Sequence, residues 1–271
     1  MARSPMFRLV QHVMAASALM TGPATATDLA PNAEHALWFP VGEQCTYRMY
    51  WGGLRVGEAT LTTGWVEQAG RRLLAITFQA RTNTIADVIF PVEIDVESLA
   101  EAPSIRPLGM AKIMRYGKQS SDGKLTFDWE RGVARWEDRR RNRWNEYPVA
   151  PQTLDFTTFI FALRHPAVQD QPEVRFGVAV DDRVHELVAA NTRRGSIRLP
   201  GRGSVSVREL ALSSPGGLFV RMVPQQLWIT TGSAPELAGM TLNVPVGKVR
   251  VLLTDCSSRV LTNPGPLRST P

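Results

Sequence analysis

The chain has 271 residues, 44% of them hydrophobic and 21% charged, with 31 Lys and Arg against 25 Asp and Glu. That length accommodates one large domain or two small ones. The formal charge of +6 favours contact with anionic surfaces but falls far below what dedicated nucleic-acid binders carry, so nucleic acid is not the expected partner.

The first residues have the three parts of a secretory signal. Arg3 and Arg8 form a positive n-region, Leu9 to Met20 an apolar stretch, and Gly22-Pro23 break it before the small-residue run Ala24-Thr25-Ala26. Gln11 and His12 interrupt the stretch, which is shorter than the roughly 20 apolar residues a membrane span needs. A cleaved signal peptide over residues 1–26 is predicted, and with it a periplasmic or secreted location. The first cysteine, Cys45, is too distant to carry a lipoprotein anchor, and no later apolar run predicts a transmembrane segment in the mature chain. Residues 27–39 read as an N-terminal extension, 40–258 as a single β domain and 259–271 as a flexible C-terminal tail.

Within the β region, period-two alternation dominates. Cys45-Tyr47-Met49-Trp51 places apolar side chains on one face of a strand, and Gly52-Gly53 turns the chain into a second strand, Arg55 to Val66. Ala69-Gly70 leads into a third, with Leu74, Ile76, Phe78 and Ala80 on one face. Val92 to Leu99 alternates again and puts Glu93, Asp95 and Glu97 together on the other face. Further strands are predicted at Met110 to Tyr116, Lys124 to Trp129, Val133 to Glu137 and Val174 to Val180. The series continues with Val184 to Thr192, Gly195 to Leu199, Val205 to Leu212, Leu218 to Thr230 and Lys248 to Asp255. Helical spacing appears in Thr153 to Arg164, where Thr153 is a suitable N-cap and Pro166 a stop, and more weakly in Thr84 to Phe90.

Two cysteines, Cys45 and Cys256, stand near opposite ends of this region. In an oxidising compartment an even pair reads most simply as one disulfide, the alternative being two buried free thiols. A disulfide brings the first and last strands together. The expected fold is therefore all-β: a strongly curved antiparallel sheet approaching a closed barrel, with one short amphipathic helix packed on it.

Several motifs resemble, in order, the bacterial domain-of-unknown-function family 3108. They are Gly42-Glu43 to Trp51-Gly52-Gly53, Val56-Gly57-Glu58-Ala59, Phe127-Asp128, Thr153-Leu154-Asp155 to Leu163-Arg164, and Leu227-Trp228 before Gly247. The resemblance spans about residues 40 to 255. It implies an exported antiparallel β fold related to barrel-like ligand carriers, and no catalytic residue. Thr230-Thr231-Gly232 departs from the pattern, where a strand ending in an acidic residue is expected.

No constellation defines a reaction. There is no G-x-S-x-G elbow, and His35, His165 and His185 do not pair at metal-ligand spacing. Asp181-Asp182-x-x-His185-Glu186 reads as a solvated hairpin tip. Glu93, Asp95 and Glu97 would suit an acid/base or cation site only if their face points inward. The densest feature runs from Trp129 to Tyr147 and includes Arg131, Arg135, Trp136, Arg139, Arg140, Arg141, Arg143 and Trp144. Guanidinium forks and aromatic faces suit phosphates, carboxylates and sugars. Trp51 and Tyr47 are candidates to line an apolar cavity.

These observations lead to the expectation of a non-enzymatic envelope binding or accessory protein with a lipid-like or amphipathic ligand and no cofactor. Expected partners are an anionic envelope component, such as lipopolysaccharide, lipid or glycan, or an envelope protein. Two alternatives remain: an interaction protein docking through residues 129–147, and a hydrolase using paired carboxylates.

Overall fold

The computed structural model describes residues 37–215, 224–245 and 247–258. The expected signal peptide, the tail from 259 and the first part of the Leu218 to Thr230 strand lie outside the described residues.

The alternating segments form strands, and neighbours in sequence are neighbours in space. From Glu43–Trp51 (β1), the chain runs through Leu54–Gln68 (β2) and Arg71–Thr82 (β3) to a helix, Thr84–Ile89 (α1). Val92–Glu101 (β4), Arg106–Tyr116 (β5), Gln119–Asp128 (β6), Val133–Asp138 (β7) and Arg143–Pro148 (β8) complete the first half. Leu154–Asp155 (β9), Phe156–Ala162 (α2) and Pro166–Gln169 (α3) follow. The second half is Glu173–Val180 (β10), Arg183–Leu199 (β11), Gly203–Ser213 (β12), Gln226–Thr230 (β13), Leu237–Val244 (β14) and Gly247–Ser258 (β15).

All the described strands belong to one 15-stranded sheet, in the order β8 to β1 and then β15 to β9. Every pairing among them is antiparallel except the short parallel contact of β9 with β10. The β1–β2 turn holds Gly52 and Gly53 at φ +54° and +89°, the left-handed backbone a two-residue hairpin loop demands and glycine permits. In the middle of the order, β1 pairs with β15, and Cys45 lies opposite Cys256 in that ladder with 4.0 Å between their Cα atoms. The two are joined as a disulfide, so the chain's first and last described strands are neighbours as expected.

The sheet differs from the near-closed barrel in one respect. Its end strands, β8 and β9, are not hydrogen-bonded to each other, so the ladder is open there. The physical reason is local: β9 is two residues long before the chain turns into α2, leaving no strand for β8 to pair with. Side chains span the gap instead. Tyr147 Oη donates to the Asp181 carbonyl at 3.0 Å and Asn145 Nδ2 to that of Asp182 at 3.1 Å, both on the β10–β11 turn.

Among the described residues, three helices replace the single one expected. The principal helix, α2, is capped by Asp155 rather than Thr153: its carboxylate accepts from Thr158 N at 2.7 Å while Thr158 Oγ1 accepts from Asp155 N at 3.0 Å. The amphipathic pattern is also replaced, because Thr157 to Ala162 are all buried. α2 packs between β3 and β4 on one side and β10 on the other, so residues from both halves of the sheet share one core around Phe159, Phe161 and Leu163. A smaller cluster forms where Ala179 meets Met110, Leu125, Phe127 and Trp136.

Asp155 is fully enclosed at this junction, and burial pushes its carboxyl up to about 6 from an ordinary 3.8. The folded state then binds this proton more tightly than the unfolded chain. Its contribution to stability is largest below pH 4 and declines as pH rises to 6, by roughly 3 kcal/mol. Asp155→Asn keeps a carbonyl to cap Thr158 N without the charge. Urea unfolding should show the variant gaining on the wild type between pH 4 and 7; a pH-independent difference would contradict a buried, proton-binding carboxyl.

Candidate functional site

Because the side-chain period of a strand is two, each strand offers one apolar row to the interior. Tyr47, Met49 and Trp51 of β1 do so, as do Ala59 and Leu61 of β2 and Phe78 and Ala80 of β3. Val92, Ile94 and Val96 of β4 continue the surface, with Met240 and Leu242 of β14 and Val249 and Val251 of β15 opposite. Phe156, Thr157 and Ile160 of α2 complete it. Between these rows lies a cavity of about 960 Å³. Its size is at the upper end of the roughly 300–1,000 Å³ common for small-molecule sites.

One end of the cavity is bounded by α1, the β5–β6 turn and the β14–β15 turn. Asn83 ties α1 to β2, its backbone N donating to Val56 O at 2.8 Å and its Nδ2 to Arg55 O at 2.8 Å. Gly117 N donates to Pro91 O at 2.8 Å, and Phe90 meets Tyr116 edge to face at 4.9 Å. The rim is therefore fixed to the sheet on both sides of the helix.

Lys112 is the exception in the β5 row Met110-Lys112-Met114. Its side chain is buried and ion-paired with Asp181, and its ammonium lies 5.1 Å from the Trp136 ring centroid. A buried ammonium needs a partner, and this one has both a carboxylate and an aromatic face. Lysine in an otherwise apolar row was the available sequence signal for it. Asp181 consequently does more than sit solvated at a hairpin tip. Tyr47 is fully buried, and that burial pushes its phenol well above the usual range.

The acidic row faces elsewhere. Val92, Ile94 and Val96 point to the cavity, so Glu93, Asp95 and Glu97 occupy the opposite face of β4. There Glu93 pairs with Arg81, and Asp95 binds both Arg81 at 3.0 Å and Gln79 at 2.8 Å. Glu97 is half-buried, which raises its pKa. The inward carboxylate pair that a hydrolase reading requires is not formed by this row.

The basic and aromatic segment is the end of β6 and the β7–β8 hairpin, and none of its residues lines the cavity. Trp129 stacks on Phe127 at 5.0 Å and donates from Nε1 to Pro107 O at 2.8 Å. Trp136 is buried over Gly123, where a Cβ would lie 2.3 Å from the indole. Arg135 covers the ring of Trp144 at 4.5 Å and pairs with Glu137 at 3.2 Å. Arg139 faces Asp122 at 3.5 Å, while Asp138 holds Arg141 at 2.9 Å and Arg143 at 3.4 Å. Arg140 is exposed in the turn. Most of these charges are thus neutralised locally. Of the ligand-binding candidates, only Tyr47 and Trp51 meet in the cavity wall.

Glu43, Cys45 and Cys256 also cluster within 4.8 Å. Their sulfurs are bonded to each other and the carboxylate is held by Arg164, so the group has no free ligand set.

No curated protein matches the chain. Among solved structures, it is similar to a beta-barrel-like protein of domain of unknown function DUF1849 from Brucella abortus, with a TM-score of 0.53 and 11% identity. That likeness covers 82% of this chain and 98% of the other, and it concerns the fold. The family model described as protein of unknown function (DUF3108) matches residues 46–254, nearly the whole described sheet. With the β1–β15 junction inside that span, the resemblance carried by the glycine and tryptophan motifs becomes membership: this chain belongs to the DUF3108 family.

Proposed function

We propose that this protein is an exported, non-catalytic carrier or accessory protein of the cell envelope whose interior holds the acyl chain of a lipid-like ligand. The observation that carries the reading is the cavity of about 960 Å³, walled by apolar rows from six strands and one face of α2. An empty apolar space of this size forfeits dispersion contacts that a hydrocarbon chain would restore. The N-terminal sequence pattern and the cysteine pair support the exported location.

Native mass spectrometry of protein purified from the cell envelope fraction should reveal a lipid adduct that solvent extraction removes. Extracted protein should bind a fluorescent fatty acid. Ala80, opposite Ala59 in the β2–β3 ladder, lies on the cavity wall. Ala80→Phe fills that space and should weaken probe binding at least tenfold without lowering thermal stability. Absence of both adduct and probe binding would overturn the proposal.

A further inference from the structure

The helix α1 is unusual among the described elements because none of its residues is buried. Ile85, Val88 and Ile89 are 80%, 86% and 55% exposed. Spaced i, i+3 and i+4, they share one helix face. Leu54, in the hairpin to which Asn83 anchors the helix, is 69% exposed. Four large apolar side chains therefore project together from the rim of the cavity, and the core makes no use of them. Grouped exposure of this kind marks a surface that is covered in use.

The charges around it identify the cover. Arg55 is paired with Glu58, Arg81 with Glu93, and Asp87 of α1 with Thr82 Oγ1. Arg115 and Lys118 on the β5–β6 side and Lys248 on the β14–β15 side are exposed and form no ion pair among the described residues. Their neighbours Tyr116, Gly117 and Val249 line the cavity rim. An apolar helix face surrounded by uncompensated cations fits the boundary between anionic lipid headgroups and acyl chains. A second copy of the chain would instead bring like charges together.

We infer that α1 and the Arg115, Lys118 and Lys248 rim dock the cavity mouth onto an anionic lipid bilayer. The docking rests on the carrier reading for its purpose but not for its measurement. Inserted side chains of α1 place the opening at acyl-chain level, so a ligand passes between bilayer and cavity without crossing water.

Vesicle flotation of the full chain tests this, using phosphatidylglycerol–phosphatidylcholine vesicles and phosphatidylcholine vesicles alone. Wild type should partition at least tenfold better onto the anionic vesicles, and less at high salt. The variant Ile85→Ser/Val88→Ser/Ile89→Ser removes no buried contact. It should lose that partitioning at least tenfold while keeping its melting temperature and fatty-acid binding. Lys118→Glu/Lys248→Glu should abolish the preference for anionic lipid. Ala80→Phe should still float, separating failure of docking from failure of the cavity reading. The inference is overturned if wild type does not float or the serine variant floats equally well. It is also overturned if wild type is a dimer that the serine variant converts to monomer.

Discussion

Replacing Arg164 by alanine is expected to destabilise the protein by about 3–5 kcal/mol, through the charge it leaves behind. Arg164 and Glu43 have side chains only 1% exposed, and the guanidinium meets the carboxylate through two bonds of 2.5 and 2.8 Å. Its Nε donates to Pro235 O at 2.7 Å, and its plane lies over Phe161 at 4.7 Å and Phe39 at 5.3 Å. One side chain thus joins the end of α2, the start of β1 and the segment before β14. Removing it strands Glu43 without water or a counter-charge. For a domain of this size each kcal/mol shifts the melting temperature by about 2–4 °C, so a fall of roughly 10 °C should appear in a thermal scan. Arg164→Met combined with Glu43→Leu should recover most of the loss, because the apolar pair has no charge to desolvate. Alanine with a loss under 1 kcal/mol would show that this pair contributes little to stability.

Loss of the Cys45–Cys256 disulfide should have a comparable effect by a different route. The bond closes a loop with a sequence separation of 211, for which the chain-entropy model gives at most ~5 kcal/mol, acting on the unfolded ensemble. The β1–β15 ladder should keep the two strands adjacent without it, so Cys45→Ser/Cys256→Ser should fold with an unchanged far-ultraviolet spectrum. Its melting temperature should fall by about 10 °C, and reductant should lower the wild type to the same value. Reductant should not affect the variant. Identical melting of oxidised and reduced wild type would contradict the expectation.

Strand positions were legible wherever one face is wet and the other dry. The first three strands, β4 and β15 lie within a few residues of where alternation places them. The elements that escaped are those lacking that contrast. In β14, Leu237 to Thr241 are all buried, so apolar residues occupy both faces and no period emerges. In β8, an edge strand, most residues are exposed, and the arginines resemble a connection. The expected strands Val184 to Thr192 and Gly195 to Leu199 are one element, β11, because a register shift near Asn191 and Arg193 absorbs the break in alternation.

By itself, the sequence determined the all-β class, the turns, the α1 and α2 helices, and the pairing of two cysteines. These depend on periodicity, turn chemistry and parity, all local or compositional properties. It also placed Tyr47 and Trp51 on an apolar face. Only the tertiary structure decided that this face lines a cavity while Glu93, Asp95 and Glu97 face away from it. Only the fold could pair Lys112 with Asp181 and Glu43 with Arg164, since these partners are far apart in the chain and no local pattern links them. The open seam between β8 and β9 belongs to the same class. Alternation tells a strand which side is inside; which strand lies opposite, and whether the space between is filled, depends on packing across the whole sheet.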